Sequence, residues 1–473
     1  MVLTMVSNER RAWLRGKPHY MRYRAVHKIR TRSIKSKVYN FTAKAAKKLV
    51  PAAAAAGIFL SSLTGVQANP TGGNIAAGTG SITGQGTNNV TINQASDKLS
   101  INWNIFNIAS GEKVQFIQPG ASSIALNRVL GNNASSIYGQ LSANGKIFLI
   151  NPNGVLFAKG AQVNVGGLVA STLNLSDKDF MSGKYTFSGD SQQGVLNQGN
   201  ITAANGGYVA LLGANAANEG VILAKEGTVA LGAGSKVALD FTGDGLLTLS
   251  IDESKVKAEV KNSGLIKADG GLVVMNAKAA DALTGSVVNN TGTIEAKSVT
   301  SKNGAIILTG DTVTNTGALD ASGKNTGETG GTVKVLGDSV KLASSASIDV
   351  SGDKGGGTAL IGGAYQGGSS EYAAAKTTVE QGTSINADAL TSGSGGQVVV
   401  WANDTTNFAG NISAKGGKNS GDGGSVETSG KKTLTVADTA SVNTTAAKGK
   451  TGNWLLDPED FTVGTGATGA NYW

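Results

Sequence analysis

The sequence predicts an all-β fold, a right-handed parallel β-helix with an N-terminal cap and small extra-helical β-hairpins. Short β-prone runs such as 146–150, 208–212 and 397–402 are separated by glycine, asparagine, aspartate and serine, which is typical of strands joined by tight turns. A related pattern recurs at roughly the length of one β-helical coil. Beyond residue 68, only residues 279–283 and 372–376 suggest short helical excursions.

Residues 1–68 are predicted to be an extended signal peptide that is removed after Ala68, so that the mature chain begins at Asn69. This segment holds 14 lysines and arginines against one acidic residue, and its apolar run Leu49–Val66 ends in small residues suited to signal peptidase. A transmembrane anchor is the alternative, but Pro51 and several glycine and serine residues weaken the run. An organellar transit peptide would also be basic, although it would lack the cleavage site.

The distribution of charge and of reactive side chains excludes several functions. The whole chain carries +9, yet residues 69–473 hold 27 basic and 31 acidic residues, a net of −4, so a nucleic-acid partner is not predicted. No cysteine is present, and both histidines, His19 and His27, precede the cleavage site. The mature chain therefore has no disulfide, no thiol nucleophile and no histidine base or metal ligand.

Two related repeats set the size of a coil. An Asn-x-Gly unit, followed by Ile or Leu and then Ala two residues later, begins at residues 197, 218, 262, 290 and 315, with spacings of 21, 44, 28 and 25 residues. A glycine-pair unit follows at 330–331, 356–357, 395–396 and 423–424.

One coil cannot bury its apolar side chains alone, whereas a stack of coils can. Valine, isoleucine, leucine and alanine are expected to point inward, and lysine, aspartate, asparagine and threonine outward. Asparagine amides are also expected to hydrogen-bond along the stack. At about 22 residues per coil and ~4.8 Å between coils, the mature chain would form about 18 coils and a rod of about 85 Å.

The segment from residue 102 to residue 175 resembles the secretion domain of two-partner secretion exoproteins, the family of filamentous haemagglutinin and the high-molecular-weight adhesins. The matching blocks are 102–108, 114–116, 127–129, 145–150, 151–157 and 166–172, and weaker likenesses follow at 426–430 and 454–458. The residues assigned to the transporter-recognition or secretion motif are Asn102, Trp103, Phe106, Asn127, Arg128, Asn151, Pro152, Asn153 and Gly154.

The resemblance implies a domain organisation and a partner. Residues 69–180 would form the core of the recognition domain, 181–325 the coils that complete it, and 326–473 the start of a glycine-rich stalk. The partner would be an outer-membrane β-barrel transporter of a Gram-negative bacterium, which the chain crosses unfolded from the periplasm, so that it meets the membrane only in transit. The stalk would then serve adhesion or haemagglutination through a host-cell or bacterial surface receptor or glycan.

Within the motif, residues 151–154 could contact the transporter or only shape a turn, and Trp103 and Phe106 are expected to pack or to cap the open first coil. The stalk of a contact-dependent growth-inhibition toxin and a β-helical polysaccharide-degrading enzyme are alternative functions. The acidic group Asp457, Glu459 and Asp460 is interpreted as a solvated boundary rather than a catalytic pair. The glycine-rich segment 417–424 is interpreted as a turn rather than a calcium repeat. No enzyme activity, cofactor or metal site is predicted.

Overall fold

The computed structural model describes residues 3–4, 69–241, 246–253, 258–279 and 286–458 of the 473-residue chain. Over the described residues between 69 and 458 the chain winds into a parallel β-helix, and from residue 124 to residue 443 each coil contributes one strand to each of three sheets. Along the chain a strand of sheet 1 is followed by one of sheet 2 and one of sheet 3, and strands of successive coils pair in parallel and in register. The fold class predicted from the sequence is confirmed.

The strands alternate among the three sheets. Sheet 1 contains Asn74–Ala77, Lys98–Trp103, Ile124–Val129, Lys146–Ile150, Gly167–Ser171, Tyr208–Gly213, Thr228–Ala233, Leu272–Ala277, Ala305–Thr309, Thr332–Leu336, Thr358–Ile361, Gln397–Ala402, Ser425–Gly430 and Asn453–Leu455. Sheet 2 contains Ser135–Ile137, Val155–Phe157, Gly194–Asn197, Asn215–Asn218, Glu259–Asn262, Val287–Asn290, Thr312–Asn315, Ser339–Leu342, Lys376–Val379, Thr405–Phe408 and Thr433–Val436, with the two-residue strand Leu3–Thr4 antiparallel to the last. Sheet 3 contains Gly80–Thr83, Asn89–Gln94, Lys113–Ile117, Gln140–Ala143, Gln162–Val165, Asn200–Ala203, Val221–Leu223, Leu265–Lys267, Thr293–Glu295, Ala318–Asp320, Ser347–Asp349, Ser384–Asn386, Asn411–Ser413 and Ser441–Asn443.

The N-terminal end of the solenoid is closed by antiparallel pairing. Asn74–Ala77 runs antiparallel to Lys98–Trp103, and Gly80–Thr83 runs antiparallel to Asn89–Gln94. An uncovered first coil would present unpaired backbone groups at its edge, and these two strands occupy that edge. The predicted N-terminal cap is therefore present.

A second, smaller core lies on the outer face of sheet 1. Helix α1 (Asp177–Ser182) and a three-stranded antiparallel sheet (Tyr185–Ser188, Lys236–Asp240 and Thr248–Glu253) cover this face, with Phe148, Phe180 and Phe187 buried beneath them. The antiparallel sheet fits the predicted extra-helical hairpins.

The helix was not predicted, although its ends carry recognisable signals. The hydroxyl of Ser176 accepts a hydrogen bond from the Asp179 backbone N–H, and Gly183 ends the helix in the left-handed conformation.

A ladder of buried asparagines runs along the corner between sheets 2 and 3. The side-chain amide of each asparagine donates to the amide oxygen of the next, from Asn197 through Asn218, Asn262 and Asn290 to Asn315, at 2.8, 2.8, 2.8 and 2.7 Å. All five are buried. The expectation of hydrogen bonding along the stack is confirmed, but the expectation that asparagine points outward is wrong here, because each amide finds its partners inside the column.

Three further sequence predictions differ from the structure or lie outside it. Residues 372–376 form no helix, and Lys376 instead begins a strand of sheet 2. Of residues 279–283, only Ala279 lies within the described part of the chain. Sheet 1 has 14 strands over the described residues rather than about 18, because the extra-helical sheet and the loops lengthen several coils. The stack is therefore about 60 Å long. In the ranges that the structure covers, no helix is long and apolar enough to cross a membrane.

Candidate functional site

The predicted motif residues of the first two coils form an inner contact within the solenoid. Trp103 is fully buried, and its indole Nε1 donates to Asn127 Oδ1 of the next coil at 3.0 Å. Asn127 in turn donates through Nδ2 to the Phe148 carbonyl at 3.3 Å, one coil further on. The ring of Phe106 meets that of Trp103 edge to face, with centroids 5.5 Å apart. These three side chains tie the first coils together and are inaccessible to a partner of the folded domain.

On the outer face of the same strands, Arg128 joins two coils to the extra-helical layer. Its Nη1 donates to Asn102 Oδ1 at 3.1 Å, its Nε donates to Asn174 Oδ1 at 3.2 Å, and its Nη2 donates to Asp177 Oδ1 at 3.0 Å. The Arg128 side chain is only 12% exposed. Arg128 Nη2 also donates to the Leu175 carbonyl at 2.5 Å. Because the planar guanidinium reaches four partners at once, it fixes the entry of the chain into helix α1.

Helix α1 is held at both ends by side chains of the strand Lys98–Trp103. Ser100 Oγ donates to Asp177 Oδ1 at 2.7 Å at the N-terminal end, while Lys98 Nζ donates to the carbonyls of Phe180 and Met181 at 3.0 and 3.1 Å at the C-terminal end. A carboxylate at the start of a helix and an ammonium at its end both interact favourably with the helix dipole. Asp177, Ser100 and Lys98 were not among the predicted site residues, since nothing in the sequence places residue 177 beside residue 100.

Burial and hydrogen bonding act in opposite directions on Asp177. Burial disfavours its charged form, but the hydrogen bonds from Arg128 and Ser100, together with the charge of Arg128, hold the pKa of this carboxyl below its ordinary value. Burial also lowers the pKa of Lys98. Asp177 is consequently ionised at neutral pH and pairs with Arg128.

The segment 151–154 forms the turn from sheet 1 to sheet 2. Asn151 is fully buried, donates to the Asn133 carbonyl at 2.9 Å and accepts from the Asn153 backbone N–H at 2.9 Å. Asn153 donates to the Gly131 carbonyl of the coil below at 2.8 Å, and Gly154 adopts a φ of +111°. Positive φ favours glycine, so the motif Asn-Pro-Asn-Gly is accounted for largely by the turn it makes.

The accessible part of this region is the corner between sheets 1 and 2. Pro152 is exposed in the turn, and in the coil below it Leu130 is 60% exposed, followed by the exposed residues Asn132 and Asn133. We call Leu130, Asn132, Asn133 and Pro152 the exposed corner. Of these only Pro152 was among the predicted site residues, since the exposure of Leu130 depends on which face of the coil it occupies.

The predicted cleavage site lies at the start of the described solenoid. Ala68 is outside the described residues, whereas Asn69 is 2% exposed and donates through its backbone nitrogen to Glu112 Oε2 at 3.0 Å.

Of the acidic group near the C-terminal end, Asp457 is exposed and Glu459 and Asp460 lie outside the described residues. Within the described ranges no cluster of three or more His, Cys, Asp or Glu side chains is suited to hold a metal ion.

Comparison with known proteins places this geometry in a family. Residues 66–321 match the TPS secretion domain. A heme/hemopexin-binding protein of Haemophilus influenzae is 34% identical over 252 residues, which are 50% of this chain and 27% of that protein. A second heme/hemopexin-binding protein of that species is 34% identical over 242 residues, 46% of this chain and 26% of that protein.

Among solved structures, the HMW1 secretion domain from Haemophilus influenzae superposes with a TM-score of 0.70 at 33% identity, covering 82% of this chain and all of that domain. The sequence match therefore spans about a quarter of the curated relatives, whereas the structural superposition spans the whole of the solved secretion domain. Since the family match covers more than half of the residues, this chain belongs to the TPS secretion domain family of two-partner secretion exoproteins, which leave Gram-negative bacteria through the outer membrane with a cognate transporter.

Proposed function

We propose that the N-terminal coils address this chain to its outer-membrane transporter through the exposed corner, and that the coils beyond them display an adhesive surface outside the cell. The secretion part of this proposal is supported by the match of residues 66–321 to the secretion domain and by the complete coverage of a solved secretion domain. The heme/hemopexin-binding relatives share only about a quarter of their length with this chain. The shared part is thus the transport module rather than the whole protein.

In this proposal the N-terminal coils are folded when the transporter recognises them, and the rest of the chain crosses unfolded. The exposed corner is then the contact, because the other motif residues are occupied within the fold. Trp103, Phe106, Asn127 and Asn151 are buried and support the domain from inside. Leu130, by contrast, exposes 60% of its surface to solvent. An exposed leucine beside a rigid proline turn is a suitable anchor for a partner, because burying it on binding gains free energy at little conformational cost.

Adhesion or haemagglutination is proposed for the coils beyond residue 325, through a host-cell or bacterial surface receptor or glycan. A stack of coils is a rigid spacer that holds distal residues away from the membrane. The stalk of a growth-inhibition toxin is the alternative and predicts an effector domain after residue 473. We propose no catalytic activity, since the neighbouring carboxylates Asp269 and Glu295 are both held in ion pairs by Lys267, at 3.0 and 2.8 Å, which does not suit a general acid and its nucleophile. Turnover of a uronic-acid polymer by the purified protein would contradict this.

The secretion proposal is tested by co-expressing the full chain with its cognate transporter and measuring the protein in the medium. Leu130→Glu should reduce export at least tenfold, because a charge replaces the apolar anchor, and Pro152→Ala should reduce it less. Ile117→Glu is the matched control, since Ile117 is also an exposed apolar residue, at 48%, but lies at the corner between sheets 3 and 1.

If Leu130→Glu is exported like Ile117→Glu, the exposed corner is not the recognition surface. If the unaltered chain requires no transporter, the secretion proposal itself fails.

A further inference from the structure

A buried carboxylate lies against the first residue of the described solenoid. Glu112 Oε2 accepts hydrogen bonds from two backbone nitrogens, that of Asn69 at 3.0 Å and that of Ala109 at 2.7 Å. Glu112 is 5% exposed and Asn69 is 2% exposed. The carboxylate is therefore removed from solvent at the point where residue 69 enters the fold.

The charge of Glu112 is not matched by a side chain in the described part of the chain. The ion pairs there involve other carboxylates, and the groups that reach Glu112 Oε2 are neutral amides. A buried charge is unfavourable unless it is paired as well as hydrogen-bonded. The position that faces Glu112 should therefore carry a positive charge in the functional protein.

Hydrolysis of the Ala68–Asn69 bond would create that charge. Water adds across the peptide bond, its hydroxyl going to the Ala68 carbonyl carbon and its hydrogen to the Asn69 nitrogen, and the new amine takes up a proton from solvent. The resulting α-ammonium has three N–H donors where the peptide had one. It replaces the neutral contact with Glu112 by a charge-assisted hydrogen bond, which is shorter and stronger.

The remaining contacts of Asn69 hold its nitrogen at the carboxylate. Its side-chain Nδ2 donates to the Thr87 carbonyl, and its φ of +69° is a conformation that asparagine adopts more readily than most residues. Two residues later, Thr71 pairs with Ile105 of the first coil. The buried Oδ1 of Asn69 has no hydrogen-bond partner among the described residues, so an acceptor on the same residue is without a donor.

We propose that Glu112 is the binding site for the α-ammonium of the mature chain, so that signal removal completes the first coil. The inference rests on the proposed cleavage after Ala68. Glu112 also accepts from the Gln140 backbone N–H through its own carbonyl at 2.9 Å, so the ion pair is connected to the second coil. A processed chain would then have a fixed N-terminal end from which further coils can propagate.

The test uses the exported full-length protein, whose N-terminal residue is identified by mass spectrometry, in its native form and as Glu112→Gln. The rate of α-amino acetylation is measured against pH. In the native protein the α-amino group should titrate above the ordinary value of about 8 and react at least tenfold more slowly at pH 8 than in Glu112→Gln. Glu219→Gln, at an exposed position in a later coil, is the matched control and should react like the native protein.

A second variant inserts one alanine between Ala68 and Asn69, which moves the amine one residue away from Glu112. Its α-amino group should react at the rate of a free peptide, and adding Glu112→Gln should then change nothing. Equal acetylation rates in the native protein and Glu112→Gln, with Asn69 as the first residue, would refute the Glu112 site alone. A different first residue would refute the cleavage prediction and this inference with it, and loss of export would instead concern the secretion proposal.

Discussion

One column of side chains at the end of sheet 2 changes from apolar to amide and back along the solenoid. In register, Phe157 is followed by the five asparagines of the ladder, and Asn315 is followed by Leu342, Val379 and Phe408. All of these side chains are buried. The backbone pairing is unchanged, so one position in the coil accepts either class of side chain, and the class changes at two steps, from Phe157 to Asn197 and from Asn315 to Leu342.

The glycines at the corners occupy different positions in two regions of the solenoid. In the proximal coils, residues 195–317, a single glycine follows each asparagine at the corner between sheets 2 and 3. In the distal coils, residues 330–455, the close contacts lie between sheets 3 and 1, where a Cβ on Gly357 or Gly396 would lie 2.1 Å from a carbonyl oxygen of the coil below. The same close approach occurs in the proximal coils, where a Cβ on Gly227 or Gly271 would lie 1.8 or 2.0 Å from a carbonyl oxygen of the coil below. Close backbone stacking is therefore common to both regions, and the proximal coils differ by adding the amide ladder.

The largest effect is expected at a distal glycine. Gly396→Ala should lower the free energy of unfolding by about 3 kcal/mol, because the new methyl group overlaps the Gly357 carbonyl and the backbone cannot move without separating two coils. Urea denaturation measures the change. Gly120→Ala is the control, since an added Cβ there meets nothing within 4 Å. Equal stability of the two variants would show that the distal coils are loosely stacked.

A substitution within the asparagine ladder should cost slightly less and should depend on position. Asn262→Leu leaves the Nδ2 group of Asn218 and the Oδ1 atom of Asn290 without their partners, which is expected to cost about 2 kcal/mol. Within the ladder, Asn315→Leu removes only the contact with Asn290, whose Nδ2 keeps the Gly292 carbonyl at 3.3 Å, although the Gly317 carbonyl also loses its donor from Asn315. The new leucine extends the apolar column of Leu342, so the cost should be below about 1 kcal/mol. Urea denaturation of both variants compares them, and equal losses would contradict a cooperative ladder.

A pH titration should separate Glu427 from Asp177, because stability at these two carboxylates changes with pH in opposite directions. In the distal coils, burial raises the pKa of Glu427, the hydrogen bonds from Gln366 and Ser429 oppose this only in part, and the charge of Asp457 adds to it. Glu427 Oε1 is buried without a hydrogen-bond partner among the described residues. Raising the pH through the unfolded-state pKa of about 4.3 toward the folded value therefore removes stability at this site.

At Asp177 in the extra-helical layer the sign is reversed. Its folded pKa is lowered, so its contribution is complete above the unfolded pKa and is lost as the pH falls through the folded one. Glu427→Gln should accordingly gain about 1 kcal/mol at pH 7 by removing an unfavourable buried charge, whereas Asp177→Asn should lose stability at pH 7 but not at pH 2. Urea denaturation at several pH values measures both. Parallel pH profiles of the two variants would rule out the opposed shifts.

The smallest effect is expected from the ion pairs on the outer face of sheet 3. Lys267 Nζ lies 2.8 Å from Glu295 Oε2 and 3.0 Å from Asp269 Oδ2, and the Lys267 side chain is 40% exposed. Because solvent screens such pairs, Lys267→Met should cost only about 0.5 kcal/mol. The loss should vanish in 1 M salt. A cost as large as that of Asn262→Leu would mean that charge rather than the amide ladder holds the proximal coils.

Prediction from sequence succeeded where one residue type repeats at the coil spacing. The Asn-x-Gly units at 197, 218, 262, 290 and 315 revealed both the stacking and the amide hydrogen bonds, since each unit does locally what its neighbours do. Prediction failed where the two residues of a contact lie far apart in the sequence and the contact occurs only once in the fold. Arg128 was singled out, but not its contact with Asp177, and the exposure of Leu130 was not anticipated.

The sequence by itself determined the class of fold, because an alternating apolar pattern with glycine and asparagine corners is satisfied when coils stack. It also determined the kind of corner that each region uses. Only the tertiary structure decided which polar groups are buried and which are accessible. Contacts such as Glu112 with Asn69, or Lys98 with helix α1, join residues 43 and more than 80 positions apart. Which residues meet depends on the number of residues in every coil and insertion between them. No local sequence pattern encodes that total.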